Sequence, residues 1–257
     1  MLSIDVGNTH IAVAVFRDDR IQRILRMETG ECRKGQSFLA NMPLLGRKAL
    51  HEVVIASVCD NVLDIILMDF ASRGLPRPMI VTRDTDMGIT NLYRTKKSLG
   101  VDRLINAAAA YALNRASRRP MIVVDMGTAT TIDYVTAMGE FLGGAIAPGI
   151  LSAYRGLIES APALPEIEIS CPGDYIGQST QDSMRSGIVL SHTSMIKGMA
   201  EHMASERGES PGIIVTGGLC HLLKGSFPLA WVADTDLTSR GLYAIYRKNR
   251  ESGGLDP

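Results

Sequence analysis

The segment 121–135, Met-Ile-Val-Val-Asp-Met-Gly-Thr-Ala-Thr-Thr-Ile-Asp-Tyr-Val, constrains this chain more than any other. Its first four residues are apolar and read as a buried strand. The run ends on Asp125, followed by Gly127 and the hydroxyls of Thr128, Thr130 and Thr131, and a second β-prone stretch begins at once. This pattern predicts a hairpin whose tight turn carries a carboxylate, a glycine and hydroxyls. Glycine lets backbone approach a ligand closely, and the N–H groups of such a turn can cradle phosphate oxygens. A carboxylate beside phosphates suits a hard cation or its bound waters. The N-terminus repeats the device: apolar residues, then Asp5, Gly7, Asn8 and Thr9, then a second strand over 11–16. Asp5 and Asp125 stand in matching settings about 120 residues apart, close to half the chain. Asp and Gly are common in any turn, so one copy would carry little weight. Two copies in the same strand–turn–strand context point to an internal duplication, with each lobe presenting its turn to a shared cleft.

Charge and cysteine usage narrow the class. The 27 acidic and 27 basic residues cancel, which speaks against a polyanionic partner such as nucleic acid. Cys32, Cys59, Cys171 and Cys220 are scattered, with no Cys-x-x-Cys pair and no histidine at metal-ligand spacing. That is the usage of a reduced, cytoplasmic protein with structural thiols. No stretch approaches ~20 apolar residues, so no membrane span is expected. The N-terminus enters a strand holding Asp5 directly, so no signal peptide is expected. No P-loop, no Gly-x-Gly-x-x-Gly after a strand and no Gly-x-Ser-x-Gly elbow occurs.

Periodicity predicts strands at 2–4, 11–16 and 21–27, with a turn at Asp18-Asp19. A helix over 38–50, a strand over 52–58, a helix over 61–73 stopped by Gly74 and a strand over 79–81 follow. The order β-β-β-α-β-α-β fits a mixed sheet with helical cover. Residues 88–100 read as loop, and a helix from Val101 runs to about 117. Asp102 stands at its start, where a carboxylate is also favoured simply as an N-cap or first-turn residue. The polar, basic stretch 114–120 marks the lobe boundary, giving lobes 1–115 and 116–257. The second lobe repeats the opening with strands to Asp125, to Val135 and over 139–147. Gly143-Gly144 and Pro148-Gly149 mark places where backbone bends or comes close to something. A helix over 151–160, a proline-rich loop and a long helix from Ser179 or Thr180 to about 206 come next. Ser186, Gly187, Ser191 and Gly198 on that helix suit either a subunit interface or the core of the lobe. A strand over 212–215 enters Thr216-Gly217-Gly218; a short helix over 219–225, a strand over 230–233 and a helix over 239–249 close the chain.

Two Asp-x-Gly hairpins with a late Gly-Gly turn resemble the actin/hexokinase superfamily of ATP-dependent phosphotransferases. Within it, an ordered series of motifs is similar to the type III pantothenate kinase family. The series begins with Asp5-Val-Gly-Asn-Thr9, Gly88-Ile-Thr-Asn-Leu-Tyr93, and Leu99-Gly-Val-Asp-Arg103 followed by Asn106-Ala-Ala-Ala-Ala110. It continues with Asp125-Met-Gly-Thr-Ala-Thr-Thr-Ile-Asp133, Phe141-Leu-Gly-Gly-Ala-Ile-Ala-Pro-Gly149 and Ala163-Leu-Pro165. Ile176-Gly-Gln-Ser-Thr-Gln-Asp-Ser-Met-Arg-Ser-Gly187 and Thr216-Gly-Gly218 complete it. Any single motif is weak; the ordered set, running from residue 1 to about 245, is specific. Two positions depart from the family pattern: Lys96 where proline is usual and Ala14 where glycine is frequent. The first bears on the order of a basic loop, and neither touches a motif carboxylate.

The resemblance implies an α/β fold of two duplicated ribonuclease H-like lobes, mixed sheets with helices, and an active site in the interlobe cleft. It implies transfer of the γ-phosphoryl of ATP to the primary hydroxyl of pantothenate, the first step of coenzyme A biosynthesis. Asp102 is then the general base. Arg103 holds the pantothenate carboxylate by paired hydrogen bonds, and Tyr93, Gly100 and Val101 complete that pocket. Asp5, Val6, Gly7, Asn8, Thr9, His10, Ile11 and Ala12 line the ATP phosphates, and Thr128 touches the nucleotide. Asp5 acts through Mg²⁺ and its waters, Asp125 holds a monovalent cation, K⁺ or NH₄⁺, and Thr180 reaches the pantothenate site across a homodimer interface. The rival readings are another phosphotransferase of the superfamily, acting on a sugar or acetate, a polyphosphate hydrolase, or a nucleotide-binding protein without turnover. The Gly-Val-Asp-Arg motif with its upstream tyrosine, and the joint presence of Asp5, Asp102 and Asp125, favour the kinase.

Overall fold

The computed structural model describes residues 1–34, 37–42, 50–223 and 227–251. The chain divides into two compact units: Met1–Ala109 together with the segment from Leu237 onward, and Ala110–Asp236.

The first unit opens with β1 (Leu2–Val6), β2 (His10–Arg17) and β3 (Arg20–Glu28), followed by α1 (Thr29–Arg33), β4 (Val53–Ser57), α2 (Asp60–Ser72) and β5 (Met79–Ile80). A two-residue strand β6 (Thr90–Asn91), a 3₁₀ turn at Lys96–Ser98 and the first part of α3 (Val101–Asn114) follow. The sheet has the order β3-β2-β1-β4-β5, with β1 antiparallel to β2 and parallel to β4. As the central strand, β1 is covered on both faces, and Leu2, Ile4 and Val6 are fully buried. Helix α2 lays Val62, Ile66 and Phe70, a one-face stripe, onto the core formed with Ile11, Val13 and Ile55. Each such buried aliphatic or aromatic side chain contributes about 1.5–3 kcal/mol. Asp18 and Asp19 both take positive φ, as a two-residue hairpin turn with the strand twist demands. The helix found after the third strand is α1, earlier than the one expected over 38–50. Of that expected stretch, 43–49 lie outside the described residues, and 38–41 form turns.

The second unit takes up the end of α3 and continues with β7 (Met121–Met126), β8 (Ala129–Val135), β9 (Glu140–Pro148) and α4 (Ile150–Ser160). Then come α5 (Thr180–Arg185), α6 (Ser191–Arg207), β10 (Gly212–Thr216) and β11 (Val232–Ala233). Its strands run β9-β8-β7-β10-β11, with β7 antiparallel to β8 and parallel to β10. Strand for strand this repeats the order and direction of the first unit, in keeping with the duplication read from the two Asp-x-Gly segments. Gly143 has φ +109, and a Cβ on Gly144 would lie 1.9 Å from the Ile132 carbonyl oxygen, so β9 requires both glycines to lie against β8. The expected long helix is present but interrupted: Ser186–Leu190 form a π-helical turn between α5 and α6. The short helix expected over 219–225 is a single 3₁₀ turn, Cys220–Leu223, and 224–226 lie outside the described residues.

The last helix, α7 (Leu237–Glu251), which a boundary at 115/116 places in the second lobe, packs on β1, β2 and β4 and falls within the first unit. The physical reason is its apolar stripe: Leu237, Leu242, Ile245 and Tyr246 are buried. Gly241 also lets α7 approach α3 so closely that a Cβ there would meet Ile105 Cγ2 at 2.8 Å. Exposed ion pairs, Arg250–Glu52 and Lys248–Asp86, both at 2.6 Å, add little.

Candidate active site

The first turn joins β1 to β2. Asp5, the residue before the last of β1, is half-buried, in register with Ala12 on β2 and Ala56 on β4. The Gly7 N–H donates to the His10 carbonyl at 3.0 Å, and between them Asn8 and Thr9 are exposed. Val6 and Ile11 are buried beneath the turn, and Ala12 is half-buried. The turn is braced from behind. The Thr29 hydroxyl donates to the Gly7 carbonyl at 2.8 Å, and the Thr29 N–H donates to the Thr9 carbonyl at 2.9 Å. The Cys59 thiol lies 3.4 Å from Asn8 Oδ1.

The second turn joins β7 to β8 and is one residue shorter. Here the Gly127 N–H donates to the Ala129 carbonyl at 3.0 Å, enclosing Thr128 alone. The register shows the same difference, with Asp5 opposite Ala12 but Asp125 opposite Thr131. The Gly149 N–H (3.0 Å) and the Ser152 hydroxyl (2.6 Å) both donate to the Thr128 carbonyl. β10 carries Thr216 alongside Asp125, so the late glycine turn comes directly against the second Asp-x-Gly turn. Gly217 has φ +94, and a Cβ on it would lie 2.5 Å from Met126 N and 2.6 Å from Asp125 Oδ1. Behind this junction the Cys220 thiol is pushed up by burial and by the charges of Asp125, Asp234 and Asp236.

The third group lies at the start of α3. Asp102 is the second helical residue, and its Oδ1 accepts the Arg103 N–H at 2.9 Å. The carboxylate therefore does serve the first helical turn. It also folds over Gly100, where a Cβ would lie 2.3 Å from Oδ1. Arg103 is buried with its guanidinium 5.6 Å from the Tyr93 ring centroid, a cation–π pair. The Arg83 Nε donates to the Leu99 carbonyl at 2.5 Å, anchoring the residue before Gly100. One turn into α3, Asn106 accepts from the Thr238 hydroxyl of α7 at 2.7 Å. Val101 is buried beneath this segment.

A model of the type III pantothenate kinase family matches residues 1–202. Curated relatives named type III pantothenate kinase match along nearly the whole chain. The protein of Geobacter sulfurreducens is 33% identical, with 98% of this chain and 100% of the relative covered. That of Syntrophus aciditrophicus is 34% identical, covering 97% and 99%. The chain belongs to the type III pantothenate kinase family. Members of this family are transferases that phosphorylate pantothenate in coenzyme A biosynthesis, using ATP with a divalent metal such as Mg²⁺. Solved structures of low sequence identity share the fold. A protein of Campylobacter jejuni assigned to the Baf family of transcriptional activators superposes with TM-score 0.64 at 19% identity, covering 98% of this chain and 100% of that one. MreB5 of Spiroplasma citri bound to AMPPNP gives 0.53 at 11% identity, with 98% of each chain covered.

For a type III pantothenate kinase, the two turns have the chemistry that nucleotide phosphates and their cations require. Among the described residues no three His, Cys, Asp or Glu side chains gather to hold a metal by themselves. A cation here would take its remaining ligands from phosphate, water or backbone, which suits single carboxylates such as Asp5 and Asp125. Thr180 is exposed at the first position of α5, behind the N-cap Ser179, whose Oγ accepts the Asp182 N–H at 3.1 Å. No helix among the described residues is long and apolar enough to cross a membrane. Sequence reasoning missed Thr29, Cys59, Ser152, Arg83 and Thr238. Each acts through a contact to a distant segment, and only the polar residue types themselves hinted at it.

Proposed function

We propose that this chain phosphorylates pantothenate with Asp102 as general base, Arg103 as the carboxylate clamp and the Asp5–Ala12 turn as the seat of the ATP phosphates. The Asp102 carboxylate takes the proton of the primary hydroxyl as its oxygen attacks the γ-phosphorus, and ADP leaves on the opposite side. Arg103, in cation–π contact with Tyr93, pairs with the carboxylate of pantothenate, while Gly100 and Val101 shape the floor. Thr128 contacts the nucleotide. Asp5 would hold Mg²⁺ through water, and Asp125 would hold the monovalent cation. Bound metal supplies neutralisation of phosphate charge. Thr180 would complete the pantothenate pocket of the partner subunit in a homodimer.

The observation that carries this reading is the segment 100–103. Its one short stretch sets a carboxylate over a glycine and, next to it, a guanidinium in cation–π contact with an aromatic ring. That pairs a proton acceptor with a carboxylate-binding fork, which is what a hydroxy acid acceptor needs. The test is ADP release with pantothenate, glucose, acetate or no acceptor. Turnover with pantothenate alone is expected; equal release with the other acceptors, or without one, would overturn the assignment.

A further inference from the structure

A turn that binds an anion must show it donors, because each backbone oxygen aimed at a phosphate repels it. The first turn contains several oxygens that could do so, and the structure gives the carbonyls of Val6, Gly7, Thr9 and His10 and the side-chain oxygen of Asn8 contacts of their own. The Val6 carbonyl accepts the Val58 N–H at 3.0 Å. The Gly7 carbonyl accepts the Thr29 hydroxyl at 2.8 Å, with the Cys59 sulfur 3.7 Å away. The Thr9 carbonyl accepts the Thr29 N–H at 2.9 Å, and the His10 carbonyl accepts the Gly7 N–H at 3.0 Å. Asn8 Oδ1 faces the Cys59 thiol at 3.4 Å, which turns the amide NH₂ to the other side. Thr29 is fully buried and Cys59 nearly so. Neither reaches the outer face of the turn.

The second turn uses the same device with different residues. The Thr128 carbonyl is taken up twice, by the Ser152 hydroxyl and by the Gly149 N–H. Position in the fold is matched too. Thr29 opens the helix after the third strand of the first unit, and Ser152 lies in the first turn of the helix after the third strand of the second.

We propose that Thr29, Cys59 and Ser152 are positioning residues for phosphate binding. They draw the Gly7 and Thr9 carbonyls and the Asn8 side-chain oxygen of the first turn, and the Thr128 carbonyl of the second, away from the phosphates. The proposal rests on reading these turns as the ATP phosphate site. Chemically, Thr29 supplies two donors to one turn, a hydroxyl and a backbone N–H, and substitution can remove only the hydroxyl. A released Gly7 carbonyl would be free to turn toward the anion, and the nucleotide would meet a lone pair where it had met none.

The experiment compares Thr29→Val, Thr29→Ser, Cys59→Ala and Ser152→Ala, with Asn8→Ala as a probe of the turn itself. Steady-state KM for ATP and for pantothenate and the melting temperature are measured for each. Thr29→Val should raise the KM for ATP by about 5- to 30-fold, the factor expected for one hydrogen bond to a buried partner. The KM for pantothenate should stay within about twofold, and Thr29→Ser, which keeps the hydroxyl, should restore ATP binding. Cys59→Ala and Ser152→Ala should shift the ATP KM in the same direction. Ser152 is half-buried, so its variant carries the test even if Thr29→Val fails to fold. A melting temperature that falls while both KM values hold would assign these residues a purely structural part and overturn the proposal. If Asn8→Ala weakens ATP and the Thr29, Cys59 and Ser152 variants do not, the positioning inference alone fails. If Asn8→Ala leaves ATP binding unchanged as well, the reading of the turn as a phosphate site fails with it.

Discussion

A Cβ on Gly217 would lie 2.6 Å from Asp125 Oδ1, so the late glycine turn and the carboxylate of the second Asp-x-Gly turn occupy one tightly fitted junction. The same Cβ would meet Met126 N and O at 2.5 Å, and the residue has φ +94. Backbone cannot easily yield on two sides at once. Gly218, by contrast, has open space around its missing Cβ.

Gly217→Ala should therefore cost about 1–3 kcal/mol in stability and displace Asp125. If Asp125 holds a monovalent cation beside the ATP phosphates, as proposed, ATP affinity and activation by potassium should fall together. Gly218→Ala should stay within about 0.5 kcal/mol of the parent. Melting curves and ATP titrations with and without potassium check the pair. Equal effects from the two alanines would contradict the close fit.

Asp102→Asn should lower kcat by about 10²–10⁴ and leave the melting temperature near that of the parent. The fold survives because asparagine keeps an oxygen that can accept the Arg103 N–H, the contact now made by Oδ1 at 2.9 Å. A variant turning over within about threefold of the parent would leave Asp102 with only its first-turn role.

With Arg103 as the proposed partner of the substrate carboxylate, Arg103→Ala should raise the KM for pantothenate far more than that for ATP. Arg103→Lys should recover only part of this. A lysine has no planar fork to stack on Tyr93, now 5.6 Å from the guanidinium, and no paired donors. Equal losses for both substrates would move Arg103 out of the pantothenate pocket.

Much of this arrangement was legible in the chain itself. Apolar runs ending on Asp5 and Asp125 fixed two hairpins, because a central strand buried on both faces admits little else. The helix carrying Asp102 was legible from Leu104, Ile105, Ala108 and Tyr111. The unequal length of the two turns was not, since Asp-x-Gly reads identically in both and the closing partner, His10 or Ala129, is set by strand register. The return of α7 to the first unit was also hidden. Its stripe of Leu237, Leu242, Ile245 and Tyr246 demands a hydrophobic surface without naming which one. The π turn at Ser186–Leu190 leaves no local signature either, as Ile188, Val189 and Leu190 would suit an α-helix as well.

His192 provides a pH test in the second unit. It is buried, with Nε2 2.9 Å from the Thr130 hydroxyl next to the second turn, and burial lowers its pKa below the ordinary 6.5. The unfolded chain therefore binds more protons than the folded one just below pH 6.5, and stability rises with pH through that window. The contribution is fully present above 6.5 and is lost as pH falls toward the folded-state value. Denaturant titrations between pH 7 and 5 should show this slope, and His192→Gln should flatten it. An unchanged slope in the variant would place the titrating group elsewhere.

Thr180 offers the sharpest test of shared sites. It is exposed at the start of α5, and beyond it Gly187 in the π turn and Gly198 on α6 have nothing within 4 Å of where a Cβ would stand. If Thr180 serves the pocket of a neighbouring subunit, a folded monomer lacks a complete site, and a two-fold dimer completes both sites at once. Specific activity should then fall on dilution below the dimer dissociation constant. Asp102→Asn and Thr180→Arg should each be inactive as homodimers. When the two are dissociated, mixed and reassociated, one pocket of the mixed dimer collects both defects and the other collects neither. Activity should return to a substantial fraction of the parent, and only with potassium or ammonium present, because Asp125 left without a cation would repel the phosphates. A mixed dimer verified by mass that shows no recovery would confine Thr180 to its own subunit or remove it from the site.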